Sequence, residues 1–329
     1  MPKRKQDASS DYKERLKKSN EEFQNVKDVC VSIMHSMGDS DFPLKENEDF
    51  VIDVLKNELI VMLEDICKLK KSKNIKTRIS ICDLIRSMKN EFGLLSRFIN
   101  YMTKKVEMSQ YLKVSKQKTS GSENIFGQEI EGGSDEEAEK EESINEIGEL
   151  EGEEGELLEK RRKKLMTKDE SLLEEVKDAF KELDLDFETF ENFQCERYAS
   201  RQNAILKHIE LMSTDSYTAF TESRRISFQK PANYRNTAST TTRKKATSIQ
   251  SLIGWIGNPP LQSESAEIFL AFFAKEVIGE VVGSALIEKY SEPIKCGAFG
   301  MVDDCLEVKH YEEAMRKNEK FRKFSRIFM

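Results

Sequence analysis

At 329 residues the chain has room for one or two cores with open connections between them. Its charged fraction is 34%, its formal net charge −7 and its mean hydropathy −0.62. It has no stretch of about 20 apolar residues, and its first residues are Met-Pro-Lys-Arg-Lys, so neither a membrane span nor a secretory signal is expected and the chain reads as soluble and intracellular. The six cysteines, at 30, 67, 82, 195, 296 and 305, contain no Cys-x-x-Cys pair, and His35, His208 and His310 are far apart, so no disulfide framework, metal or cofactor is expected. A phosphate-binding Gly-rich loop and a nucleophile beside a base are also missing, which argues against an enzyme.

In chain order, a basic tail over 1–20 leads into a helix over 21–37, where Val26, Val29, Cys30, Ile33 and Met34 fall at helical spacing and Gly38 can take the left-handed conformation that ends it. A long helix follows from Glu46 to about Lys71, its apolar stripe carrying Leu55, Leu59 and Met62. Ile75–Ile79 alternates like a short strand, and Ser80 can cap a third helix with Asp83 in its first turn, where Arg78 is expected to pair with Asp83. Short helix, loop, long helix, loop, helix is the layout of a histone fold, placed over 21–115. Such a fold leaves its long helix needing a second copy to cover it.

Residues 120–160 hold 16 acids against 2 bases, and 116–165 reads as a disordered acidic linker, the alternative being an acidic mimic of histone tails or DNA. Connecting helices are expected over 166–228. They open with a capping box at Thr167–Glu170, and Phe187, Phe190, Phe193, Tyr198, Ile205, Ile209 and Met212 continue an apolar face. Asp184, Asp186 and Glu188 alternate as in a calcium loop but lack its central Gly, so calcium is not expected. A flexible Ser/Thr-rich loop over 229–248 precedes a second histone fold over 249–322, with a tail over 323–329. In that second fold a helix around Trp255 stops at Gly257-Asn258-Pro259-Pro260. A long helix over 265–290 then carries Phe272, Val277 and the four-apart pair Gly279 and Gly283, which suits a close helix crossing. A last helix starts near His310, a packed histidine rather than a ligand. The fold class expected is all-α, two histone folds paired within one chain across the seam of Leu55, Leu59, Met62, Phe272, Val277, Gly279 and Gly283.

Four strings resemble the suppressor-of-Ty subunit three family, the SAGA coactivator component that engages the TATA-binding protein (TBP). They are Met34–Glu46; Ile79–Asp83 with Met88, Leu95, Arg97 and Tyr101 following; the central motif Tyr217, Phe220, Ser223, Arg224, Ser227 and Phe228; and His310, Glu313 and Arg316. Departures are Cys82 in place of an acid, and Lys89-Asn90-Glu91 in place of Arg-Lys-Asp. The resemblance implies head-to-tail histone folds, a nuclear coactivator subunit for RNA polymerase II transcription, and partners comprising TBP and other histone-fold and scaffold subunits. Its long-helix signature falls near Phe273, Glu276 and Val277, which makes Glu276 and Glu280 the candidate acids facing TBP.

Two rival readings remain. One is a DNA-binding histone-fold protein, from Lys68, Lys70, Lys71, Lys73, Lys76 and Arg78 near the second loop, although the matching loop over 293–304 is not basic. The other is a TFIID-like subunit pairing with a separate chain. Pro2–Lys5 and Lys160–Lys164 are basic clusters compatible with nuclear import.

Overall fold

A computed structural model describes residues 8–72, 78–122, 167–229, 248–291 and 305–318, and among these the protein is all-helical. The helices are α1 (Ala8–Ser36), α2 (Lys45–Ser72), α3 (Ile81–Ser87), α4 (Phe92–Ser122), α5 (Lys168–Glu182) and α6 (Phe187–Glu191). They continue with α7 (Glu196–Glu210), α8 (Thr214–Ser223), α9 (Ser248–Trp255), α10 (Glu264–Ser291) and α11 (Val308–Lys317). The strand-like run before Ile79 and most of the expected acidic linker and Ser/Thr-rich loop lie outside the described residues, and α4 itself runs past 115 to Ser122.

The centre of the molecule is α10. Its 28 residues make a rod of about 42 Å, and apolar or small side chains cover it on nearly every side, as a helix sheathed by others requires. It packs against α1 to α5, α7, α9 and α11. Phe269 and Phe273 are fully buried, each contributing about 1.5–3 kcal/mol of transfer free energy. By contrast α2 is amphipathic: Val51, Leu55, Leu59 and Met62 face inward, while Asp53, Asn57, Val61 and Glu64 face water.

The caps read from the sequence are present. Thr167 and Glu170 close a reciprocal box on α5, and Ser80 and Asp83 do the same on α3. Gly38 sits at φ +105° after α1, where a β-carbon would lie 2.6 Å from Leu286 on α10, so the left-handed turn and the close approach both require glycine. The apolar run over 187–212 is broken by a loop between α6 and α7, which leaves Phe193 and Tyr198 partly exposed.

The helices α1–α2–α3/α4 and α9–α10–α11 form two triplets of like order, and their loops meet at both ends. At one end Ile79, before α3, makes a parallel bridge with Leu261, before α10. The Ile79 N–H donates to the Pro260 carbonyl at 2.7 Å, and the Gln262 N–H donates back to the Ile79 carbonyl at 2.9 Å. At the other end Asp39, after α1, is fully buried and accepts the Leu306 N–H at 3.1 Å and the Tyr311 hydroxyl at 2.7 Å. Asn47 on α2 completes this junction by donating to the Leu306 carbonyl at 2.7 Å.

Three side-chain expectations need correction. Asp83 takes Lys70 at 2.6 Å rather than Arg78. The Lys70 ammonium also donates to the Arg78 carbonyl, so the loop is clamped through its backbone while the Arg78 side chain points to water. Gly279 and Gly283 do not face α2. A β-carbon at 283 would stand 2.8 Å from Arg201 Cδ on α7, and one at 279 would stand 3.3 Å from the end of Met37, so the small residues admit an arginine stem and the end of α1. Phe272 packs on Phe98 and Tyr101 of α4, ring centroids 5.3 and 5.5 Å away, not on the long helix α2. Leu55, Leu59, Met62 and Val277 are buried in the common core.

A basic groove beside the central helix

An open groove of about 1080 Å³ lies between α4, α7, the turn after α8, and α10. Its polarity comes from Arg97, Lys104 and Lys105 on α4, Arg201 on α7, Arg224 and Arg225 after α8, and Lys275 on α10; Glu264, Glu267 and Glu276 oppose them. Ile205, Leu206, Ile209 and Ile226 supply apolar wall.

Helical spacing on α7 stacks Arg197 and Arg201 one turn apart toward α10. Glu276 accepts from Arg97 Nε at 2.7 Å and lies 3.9 Å from Arg201, so one carboxylate ties α4 and α7 to α10. A turn further on, Glu280 accepts from Arg197 at 3.0 Å and from the Asn318 amide at 3.4 Å. These carboxylates keep only 16% and 13% of their side-chain surface. The sequence reading puts Glu276 and Glu280 on an outer face for a partner; the structure makes them braces, because arginines from flanking helices reach over the α10 surface. The Tyr198 ring lies under the guanidiniums of Arg97 and Arg201, 5.0 and 5.5 Å from their carbons.

Arg201 is 4% exposed, and its Nε has no hydrogen-bond partner. Burial lowers its pKa, which Glu276 and Glu280 partly restore, but an arginine stays charged. Burial, then the neighbouring Glu264, raises the Glu267 carboxyl above its ordinary value. Tyr101 donates to Gln229 at 2.7 Å, fixing the chain where it leaves the motif after α8.

The central motif divides into buried and exposed parts. Phe220, Ser223 and Phe228 are fully buried, and Phe220 meets His35 of α1 edge to face at 5.9 Å. The Ser223 hydroxyl donates to the Phe220 carbonyl, and the Ser227 hydroxyl accepts the Gln229 N–H. Tyr217 is half exposed, and Arg224 lies over Phe220 and lines the groove. Of the basic cluster near the second loop, Lys70 is held by Asp83 and Lys68 by Glu64 and Asp65, while Lys73 and Lys76 lie outside the described residues. His310 is buried and accepts the Glu307 N–H at 3.0 Å.

Sequence reasoning missed Arg201 and Tyr198 as a unit, and it missed the partners of Asp39. The only signal for Arg201 was the glycine pair on α10, whose missing side chains make space for a long stem. Among the described residues no group of three His, Cys, Asp or Glu is placed to hold a metal, and no helix is long and apolar enough to cross a membrane. What the groove can do chemically is bind: it combines surplus cations, an aromatic platform and an apolar wall. Comparison of the chain with protein-family models, with curated proteins and with solved structures returned no match.

Proposed function

We propose that this protein is a non-enzymatic, nuclear coactivator subunit of the SAGA type, in which two histone folds pair head to tail within one chain and present a surface to TBP. The observation that carries the reading is the double loop exchange. In a head-to-tail pair the first loop of each fold meets the second loop of the other, and here Leu261 meets Ile79 while Asp39 meets Leu306. The resemblance supports it further at particular positions: Gly38-Asp39 makes the tight turn and the buried acceptor, and Phe220 packs on His35 of α1 while Ser223 and Phe228 are buried. A partner for α2 inside the chain disfavours the reading as half of a heterodimer with a separate subunit. Direct DNA binding loses support because Lys70, at the centre of the basic cluster, is engaged by Asp83.

The test uses purified full-length chain and immobilised TBP, with Glu276→Lys and the charge swap Arg97→Glu with Glu276→Arg. A one-to-one complex is expected with the native chain. Glu276→Lys should lower both stability and TBP retention, and the swap should restore both, since Glu276 acts as a brace. A swap that regains stability but not TBP would make Glu276 a direct contact, and a native chain that retains no TBP overturns the reading.

A further inference from the structure

The groove has more positive charge than its own residues neutralise. Glu276 is engaged by Arg97, Glu264 by Lys168, and Lys105 by Asp169. Among the described residues that leaves Lys104, Arg224 and Arg225 without a carboxylate, beside a buried Arg201 whose Nε lacks a partner. A desolvated guanidinium N–H with no acceptor is unfavourable unless something supplies one. Arg201 is therefore a second observation, independent of the surface charge, that points to an anionic occupant.

We propose that the occupant is the Glu146–Glu159 segment of this same chain. The segment holds seven glutamates and no basic residue, and Ile147, Leu150, Leu157 and Leu158 are interleaved with them. Acids on an apolar frame match cations beside the wall of Ile205, Leu206 and Ile226. The tether is short. Seven residues separate Glu159 from Thr167, so the two lie at most about 29 Å apart along the chain, and the chain is fixed at the groove's edge where Lys168 pairs with Glu264 at 2.7 Å and Asp169 with Lys105 at 3.2 Å. Order along the sequence is compatible: reading back from Thr167, the basic run Lys160–Lys164 comes before the acids, and the groove itself runs from Glu264 and Glu267 to Arg201 and Arg224. Such a tether supplies the acids at an effective concentration on the order of millimolar. An acidic segment from another protein then has to displace one already in place. The inference does not depend on the coactivator reading.

The experiment measures, by fluorescence anisotropy at low salt, binding of a labelled peptide with the sequence of residues 146–159 to two full-length proteins: the native chain and one with the seven glutamates of the segment changed to Gln. The peptide is expected to bind the Gln variant about tenfold tighter than the native chain, because the cis competitor is gone. The gap should close as salt is raised, and adding Arg224→Glu with Arg225→Glu, both exposed positions, should abolish binding. Equal binding to both proteins overturns the cis occupant and leaves an acidic ligand supplied by another chain. No binding to either protein, or binding that survives the arginine changes, overturns the groove as the site.

Discussion

The two junctions that join the helix triplets solve the same problem with different chemistry. At Ile79 and Leu261 the backbone makes the joint, through paired N–H and carbonyl groups, and Lys70, Ser80 and Asp83 steady it from a partly exposed position. At Asp39 one buried carboxylate makes the joint by accepting the Ser40 N–H, the Leu306 N–H and the Tyr311 hydroxyl. A backbone joint tolerates side-chain change because its donors and acceptors belong to every residue. A joint made by one side chain concentrates the cost of failure in that residue.

The largest expected effect follows directly. Asp39→Ala leaves a buried N–H and a buried phenol without acceptors and should cost about 3–5 kcal/mol in denaturant unfolding, whereas Asp39→Asn, which keeps an acceptor oxygen, should cost only about 1 kcal/mol. Next, Tyr311→Phe removes one donor and strands a carboxylate oxygen, for about 1–3 kcal/mol. At the other junction Asp83→Asn should cost only about 0.5–1.5 kcal/mol, since the pair it breaks is partly solvated and the backbone bridge remains. If Asp83→Asn proves as damaging as Asp39→Ala, the contrast between the junctions fails.

Acid sharpens the contrast, because the two carboxyls shift in opposite directions. Burial raises Asp39 above its ordinary 3.8, and the Tyr311, Leu306 and Ser40 hydrogen bonds only partly offset it. The native state therefore holds this proton where the unfolded chain has released it, and the associated stability falls as pH rises from 3.8 through the raised value. Burial also pushes Asp83 up, but the hydrogen bonds from Lys70 and Ser80 outweigh it and leave it below 3.8. Its contribution is present above 3.8 and is lost as pH falls through the lowered value. Melting temperature against pH should lose its decline above 3.8 in Asp39→Asn and its acid loss below 3.8 in Asp83→Asn.

The smallest effect separates the two α10 glycines. Gly283→Ala must displace the stem of buried Arg201 and should destabilise by about 1 kcal/mol despite the helix propensity gained. Gly279→Ala meets the flexible end of Met37 and, at an ordinary contact distance of 3.8 Å, Arg201 Nη1, and should be neutral within about 0.5 kcal/mol in thermal unfolding.

Much of the helical frame was legible because its signals are local. The α2 stripe, the Ser80 and Thr167 caps, the Gly38 turn and the Gly-Asn-Pro-Pro stop each need only a few neighbouring residues. The junctions and the groove were not, because they join residues far apart in the chain: Asp39 with Leu306, Arg97 with Glu276, Arg197 with Glu280. Glu276 and Glu280 show the limit best. Spacing put them on one face of a helix, but only packing reveals that α4 and α7 reach over that face with arginines. Arg78 failed similarly, since Lys70, eight residues back, reaches Asp83 first.

The central claim is that the two triplets close on each other through both loop pairs within one chain. Residue-resolved amide hydrogen exchange on the full-length protein tests it directly, at Ile79, Gln262 and Leu306. The account predicts that these three loop amides exchange as slowly as the core of α10, and that Asp39→Ala releases Leu306 well before it releases Ile79. Exchange of all three at open-loop rates while α10 stays protected would contradict it.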